Sequence, residues 1–201
     1  QEISSYIYES SQNLLSVLNE LLDFSRLQAG KLALEHAQLT LQSVVDDVIN
    51  SVQLSLSRKQ LDLKVIMDKA LPLSVFSDAR RLKQVLLHLV QNALKFTEKG
   101  GIEIAVAVER KVENTAFIRF SVSDTGIGID AEQVEHIFSP FVQADGSSTR
   151  KYGGVGLGLS SCKRLVRLLS GSMGATSEAG QGSTFWFTVP LECSEERSCG
   201  S

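Results

Sequence analysis

Between Ile3 and Leu27 the apolar residues fall at Ile3, Ile7, Leu14, Val17, Leu21 and Phe24, stepping by three and four with one step skipped at Ser10. This heptad-like seam predicts a helix, and Leu15, Leu18 and Leu22 widen it into a bundle-type stripe. Gly30 stands where a left-handed residue would close the helix. A stripe this broad must pack on something, and the rest of the chain can cover only part of it. Thr40 reads as the N-cap of a second helix whose apolar face is Leu41, Val44, Val45, Val48, Ile49 and Val52. A strand over Leu61–Met67 and a loop punctuated by Pro72 follow. Ser77 reads as the cap of a long helix from Asp78 to Phe96, with Leu82, Val85, Leu86, Leu89, Val90 and Ala93 facing inward.

Two strand-like runs come next, Ile102–Val108 and Ala116–Ser123, joined by a polar turn at Glu113 and Asn114. A short helix is expected at Ala131–Phe138, and the segment from Ser139 to Tyr152 is polar and aperiodic. A last helix spans Leu157–Leu169, followed by strands at Ser172–Ser177 and Ser183–Pro190 around the turn Ala179–Gly182. The tail from Glu192 is polar and expected to be loose. Strands mixed with three longer helices predict an α+β fold: an α/β sandwich of one mixed sheet with helices on one face. The expected organisation is a leading helix over residues 1–30, one domain over 31–192 and a tail or linker over 193–201.

Composition narrows the class. A chain of 201 residues, 43% apolar and 21% charged, suits one globular domain with an appendage. A net charge of −3 with mixed signs gives no reason to expect a nucleic-acid partner. Cys162, Cys193 and Cys199 lack metal-ligand spacing and read as free thiols of a reducing compartment. No apolar run reaches the roughly 18–20 residues that span a bilayer. The chain opens at Gln1 with neither an initiator Met nor a signal peptide, so it is expected to be a fragment of a longer protein.

Four segments carry chemistry: NALKFT (Asn92–Thr97), DTGIGI (Asp124–Ile129), FSPF (Phe138–Phe141) and GGVGLGLS (Gly153–Ser160). Taken singly, each also fits a surface, a turn, a core pair or a flexible loop. Gly154, Gly156 and Gly158 let backbone N–H groups approach an anion closely, and the helix that follows points its positive end there. A phosphate-bearing ligand is the natural guest. The P-loop pattern is absent. GIGIDA (Gly126–Ala131) approaches a dinucleotide fingerprint, but no second parallel strand with a terminal acid follows, so that fold is rejected.

The order and spacing of the four segments resemble the N, G1, F and G2 boxes of the sensor histidine kinases, within the wider ATPase group that includes gyrase B, Hsp90 and MutL. LLDFSRLQAGKL (Leu21–Leu32), DARRLKQVLLHLVQNALKFT (Asp78–Thr97) and FSPFVQADGSSTRKYGG (Phe138–Gly154) resemble the hybrid sensor kinases in particular. The resemblance implies a Bergerat-type sandwich binding ATP and Mg²⁺. Asn92 resembles the asparagine that ligates Mg²⁺, a cation preferring oxygen donors. Lys95 resembles the lysine near the phosphates, and Phe96 the ring against adenine. Asp124 resembles the carboxylate accepting from the adenine amino group, with Gly126 and Gly128 permitting the turn beside the base. Arg150 and Lys151 match lid cations. Gly154, Gly156, Leu157, Gly158 and Leu159 match the phosphate-side box, and Thr184 the hydroxyl at the back of the purine pocket.

On the same resemblance, residues 1–30 are the second helix of a dimerisation and phosphotransfer hairpin whose first helix carries the acceptor histidine. His36, His88 and His136 have no acceptor context. The implied partners are a second copy, through the helical bundle of the full-length protein, and a receiver domain. The implied place is the cytoplasmic side of a bacterial inner-membrane sensor. His88 departs from the family, which usually has asparagine four residues before the Mg²⁺ ligand, and neutral imidazole suits Mg²⁺ poorly. Two readings follow: a tolerated, water-bridged site, or weakened Mg–ATP handling that worsens as His88 protonates near pH 6.5. Val155, where the family mostly has threonine, is a minor departure. The functions weighed are a working kinase, a nucleotide-poor interaction module pairing with another kinase, and a gyrase-like ATPase. The last would want an acidic base near position 88.

Overall fold

The computed structural model describes residues 33–140, 142 and 156–194, so the expected helix over 1–30 lies outside the described residues. Seven strands form one sheet: β1 (Ala37–Leu39), β2 (Asp62–Met67), β3 (Val75–Ser77), β4 (Gly101–Val112), β5 (Thr115–Asp124), β6 (Ser172–Glu178) and β7 (Gly182–Cys193). The order is β1-β3-β7-β5-β4-β2, with β6 also paired to β7. The β2–β4 pair is parallel and the others antiparallel, which gives the mixed sheet expected.

Helices α1 (Leu41–Lys59), α2 (Ala79–Phe96) and α4 (Gly158–Leu168) form the second layer, and α3 (Ala131–Val134) is a single turn beside β6. Thr40 caps α1 as expected, its hydroxyl accepting from the Ser43 N–H at 3.2 Å. Gln60 ends that helix at φ 55, and Arg58 and Lys59 put positive charge in its last turn, where the helix dipole favours it. Lys59 also donates to the carbonyls of Leu94 and Thr97, tying the end of α1 to the end of α2.

Ser77 does not cap α2. It is the last residue of β3, and Asp78 is the cap, its Oδ1 accepting from the Arg81 N–H at 3.0 Å. The second oxygen of Asp78 accepts from the Glu35 N–H at 3.1 Å, so one buried carboxylate fixes both α2 and the chain entering the domain. β7 runs to Cys193, which pairs with Val75, and only Ser194 of the described residues lies beyond.

Leu82, Val85, Leu86, Leu89 and Val90 of α2 are fully buried against Ile104, Ile118, Phe120 and Phe187 of the sheet. Each such side chain contributes about 1.5–3 kcal/mol relative to its exposed state. Phe120 and Phe187 stack with centroids 4.7 Å apart at the centre of this layer. The other face of the sheet is half-exposed and polar, with the Arg119 guanidinium lying 4.0 Å over the Trp186 ring. The result is the sandwich the sequence predicts, with one helical layer. Among the described residues, no helix is long and apolar enough to cross a membrane.

Candidate functional site

Of the predicted residues that the structure describes, all but Thr184 lie toward one end of the sheet, where the end of α2, the loop after β5, the β6–β7 turn and the start of α4 approach one another. The apolar stripe of α2 turns its other flank toward this cleft. His88, Asn92 and Phe96 recur at four-residue spacing along that flank, and all three are half-buried. The Lys95 ammonium lies 5.1 Å from the Phe96 centroid, beside Asn92 by one helical turn.

Asp124 ends β5 on the core side of the sheet and is 9% exposed. Its Oδ1 accepts from the Gly126 N–H at 2.8 Å. Burial pushes the Asp124 carboxyl above the usual range. Backbone hydrogen bonds from Gly126 and Ser183, and the nearby Thr97 hydroxyl, pull the other way. Thr97 is fully buried and its hydroxyl has no well-formed hydrogen bond, leaving a polar group beside the carboxylate with capacity to spare.

The two glycines after Asp124 have separate causes. A Cβ on Gly126 would lie 2.5 Å from the Phe96 carbonyl oxygen, so only glycine lets this loop pass the end of α2. Gly128 takes φ 67, and a Cβ there would collide with the Glu178 carbonyl. The Ile127 N–H donates to the Phe96 carbonyl at 3.3 Å, and the Ile127 carbonyl accepts from the Gly180 N–H at 2.7 Å. Thus the β5 loop is pinned to α2 on one side and to the β6–β7 turn on the other.

Thr184 is not part of this cleft. It pairs with Ser123, and the two hydroxyls are 2.9 Å apart on the sheet face turned away from the helices. Directly paired residues share a face, so the residue opposite Asp124 is Ser183. The hydroxyl of buried Ser183 bonds that of Ser177 at 2.9 Å, and Ser177 in turn accepts from the Ile129 N–H at 2.8 Å. Ser183, Ser177 and Thr97 lie around Asp124, and the sequence gives none of them a role. Only the strand register, one position from Thr184, identifies Ser183.

Ahead of α4, Gly156 takes φ 71 and Leu157, fully buried, leads into the helix. Gly158 begins the helix, and Leu159 packs on the core. Phe138 meets Phe185 edge-on at 6.4 Å, and the Lys163 ammonium lies 4.9 Å over the Phe138 ring. Phe141, Arg150, Lys151, Gly153, Gly154 and Val155 lie outside the described residues.

His88 does not behave as a physiological pH switch. Burial, and secondarily the Lys95 charge, push its pKa from 6.5 down to about 4. It therefore stays neutral across pH 6–7.5, contrary to the expectation that its protonation weakens Mg²⁺-dependent binding there. Among the described residues, no cluster of three or more His, Cys, Asp or Glu side chains is arranged to hold a metal. A single amide oxygen, Asn92, fits a Mg²⁺ ion that arrives on a nucleotide with phosphate oxygens and waters as its other ligands.

A family model described as "Histidine kinase-, DNA gyrase B-, and HSP90-like ATPase" matches residues 77–193. Among curated relatives, the chain is 42% identical to hybrid signal transduction protein dokA of Dictyostelium discoideum over 193 residues, covering 94% of the chain and 12% of that protein. It is 40% identical to sensor protein GacS of Pseudomonas syringae pv. syringae over 190 residues, covering 94% of the chain and 21% of GacS. The chain thus spans between about a tenth and about a fifth of the length of such relatives. Of solved structures, full-length ShkA in complex with AMPPNP superposes with TM-score 0.82 at 33% identity, covering 96% of this chain and 40% of that one. The catalytic domain of histidine kinase ThkA superposes with TM-score 0.63 at 30% identity, covering 78% of this chain and 95% of that one.

Proposed function

Because the chain belongs to the histidine kinase-, DNA gyrase B- and HSP90-like ATPase family and, within it, to the sensor histidine kinases, we propose that it binds Mg–ATP. Its γ-phosphoryl group goes to a histidine outside these 201 residues and onward to a receiver aspartate. The observation that carries the reading is Asp124: a buried carboxylate, held by the Gly126 N–H, beside a loop that Gly126 and Gly128 let pass close to the end of α2 and the β6–β7 turn. A carboxylate acceptor suits the 6-amino group of adenine and is mismatched to the 6-carbonyl of guanine.

In this reading the Phe96 ring packs on the base, and Ser183, Ser177 and Thr97 supply hydroxyls at its edge. Lys95 and the N–H groups leading into α4 draw the phosphates, with Arg150 and Lys151 as further cations. Mg²⁺ held through Asn92 would neutralise phosphate charge. The acceptor imidazole nitrogen attacks the γ-phosphorus, the bond to the bridging oxygen breaks and ADP leaves. A receiver carboxylate oxygen then takes the phosphoryl group and frees the histidine. Here the domain's contribution is positioning and charge, as in phosphoryl transfer generally.

The AMPPNP complex of ShkA supports the nucleotide, and a complex of histidine kinase ThkA with response regulator protein TrrA, 26% identical, supports a receiver partner. Dimerisation through residues 1–30 and the cytoplasmic side of a membrane sensor complete the proposal. The interaction-module reading has in its favour His88 in place of the usual asparagine, and a neutral imidazole takes away the pH-dependent part of that ground alone. The test is transfer in trans. Labelled ATP should leave this chain unlabelled by itself and should place acid-labile phosphate on an added hairpin bearing the acceptor histidine. Label on His36, His88 or His136, or none on a hairpin that its own complete kinase labels, would overturn it.

A further inference from the structure

Gly156 and Gly158, two residues apart, are glycines for different reasons. Gly156 takes φ 71, a backbone conformation other residues avoid. Gly158 is the first residue of α4 and is not among the residues with positive φ, so its backbone would accept any helix former. Alanine is preferred over glycine in helices by about 1 kcal/mol. What excludes a side chain is a neighbour. A Cβ on Gly158 would lie 3.0 Å from Nδ1 of His88, and closer still to Cε1 and Nε2.

The imidazole of His88 therefore lies against the Gly158 backbone, between α2 and the first turn of α4. Asn92 stands one turn further along the same flank of α2, with Lys95 beside it. The ring has no rotamer that shortens it, whereas a longer flexible side chain could swing away. We propose that His88 is a positioning residue: its ring is the spacer that sets the distance between Asn92 and Lys95 on α2 and the phosphate-facing start of α4, and it makes glycine obligatory at 158. The proposal rests on the Mg–ATP reading for its functional consequence, and on contact geometry for the spacer itself. The neutral state of the imidazole agrees with this role, since an uncharged ring can sit beside the Lys95 ammonium and a helix start.

A four-protein cycle tests it: the parent, Gly158→Ala, His88→Ala, and the double variant. Mg–ATP and AMP affinities are read by calorimetry, and Tm by thermal unfolding. Gly158→Ala should weaken Mg–ATP by about tenfold or more and leave AMP within about twofold, because the displaced groups face the phosphates. On the His88→Ala background the same glycine change should cost less than about twofold in Mg–ATP affinity, and Tm should recover alongside. A double variant as weak and unstable as Gly158→Ala would overturn the spacer. Equal losses for Mg–ATP and AMP, or a Tm loss with unchanged affinities, would overturn the positioning role. If the parent binds neither nucleotide, the ATP reading fails, and rescue or non-rescue of Tm still decides the spacer.

Discussion

Burial acts in opposite senses on the stability contributed by Asp124 and by His88. A carboxyl whose folded pKa is raised contributes stability below its ordinary value of 3.8 and loses it as pH rises through the folded value. At neutral pH the Asp124 charge is thus a cost the fold bears for the sake of the cleft. Asp124→Asn should leave Tm at pH 7 unchanged or raise it by about 2–4 °C, the shift that 1 kcal/mol makes in a chain of this size. Thermal unfolding that shows a marked drop would contradict this. For His88 the folded pKa of about 4 lies below 6.5, so between these values the unfolded chain holds a proton that the folded one refuses. Stability should fall as pH drops from 6.5 toward 4, and the fall should be shallower in His88→Asn. Parallel unfolding curves for the two proteins would show that the imidazole is not excluded from protonation.

At the scale of elements, α2 is the part on which the site depends most, since it carries Asn92, Lys95 and Phe96 and is anchored at both ends. Asp78 serves its start and Lys59 its end. Asp78→Ala removes a cap and leaves the Glu35 N–H without its partner, a loss of about 1–3 kcal/mol. Asp78→Asn keeps the cap and should lose less than half as much in denaturant unfolding. Equal losses would mean the carboxylate charge, not the cap, is what matters. The three helices were legible because six or more apolar residues repeat at 3.6-residue spacing in each or the glycine boxes frame them. The strands β1 and β3 were not, because three residues cannot establish a period of two. Ser77 reads as a cap for the same reason: the short strand containing it gives no signal, and a serine before a helix does. Thr184 fails differently. Its strand was recognised, but which face a residue occupies depends on the partner strand, and a one-position slip reverses it. The chemistry of the pocket hydroxyl was readable, and its position was not.

Over the described residues as a whole, the sheet ends, the α2 terminus and the α4 start come together from elements far apart in sequence, and glycines let them approach. Gly128 is one such hinge point, closed against Glu178. Gly128→Ala should therefore loosen the β5 loop from the β6–β7 turn, weakening nucleotide binding about tenfold or more through strain at φ 67. A variant that binds as the parent does would show that the turn tolerates a side chain. The measurement that bears most directly on the account is calorimetry of Mg–ATP and Mg–GTP with the parent and with Asp124→Asn. The account predicts binding of Mg–ATP by the parent, no comparable binding of Mg–GTP, and loss of Mg–ATP affinity by about tenfold or more in the variant. Equal affinity of the parent for the two nucleotides, or undiminished Mg–ATP binding by Asp124→Asn, would contradict it.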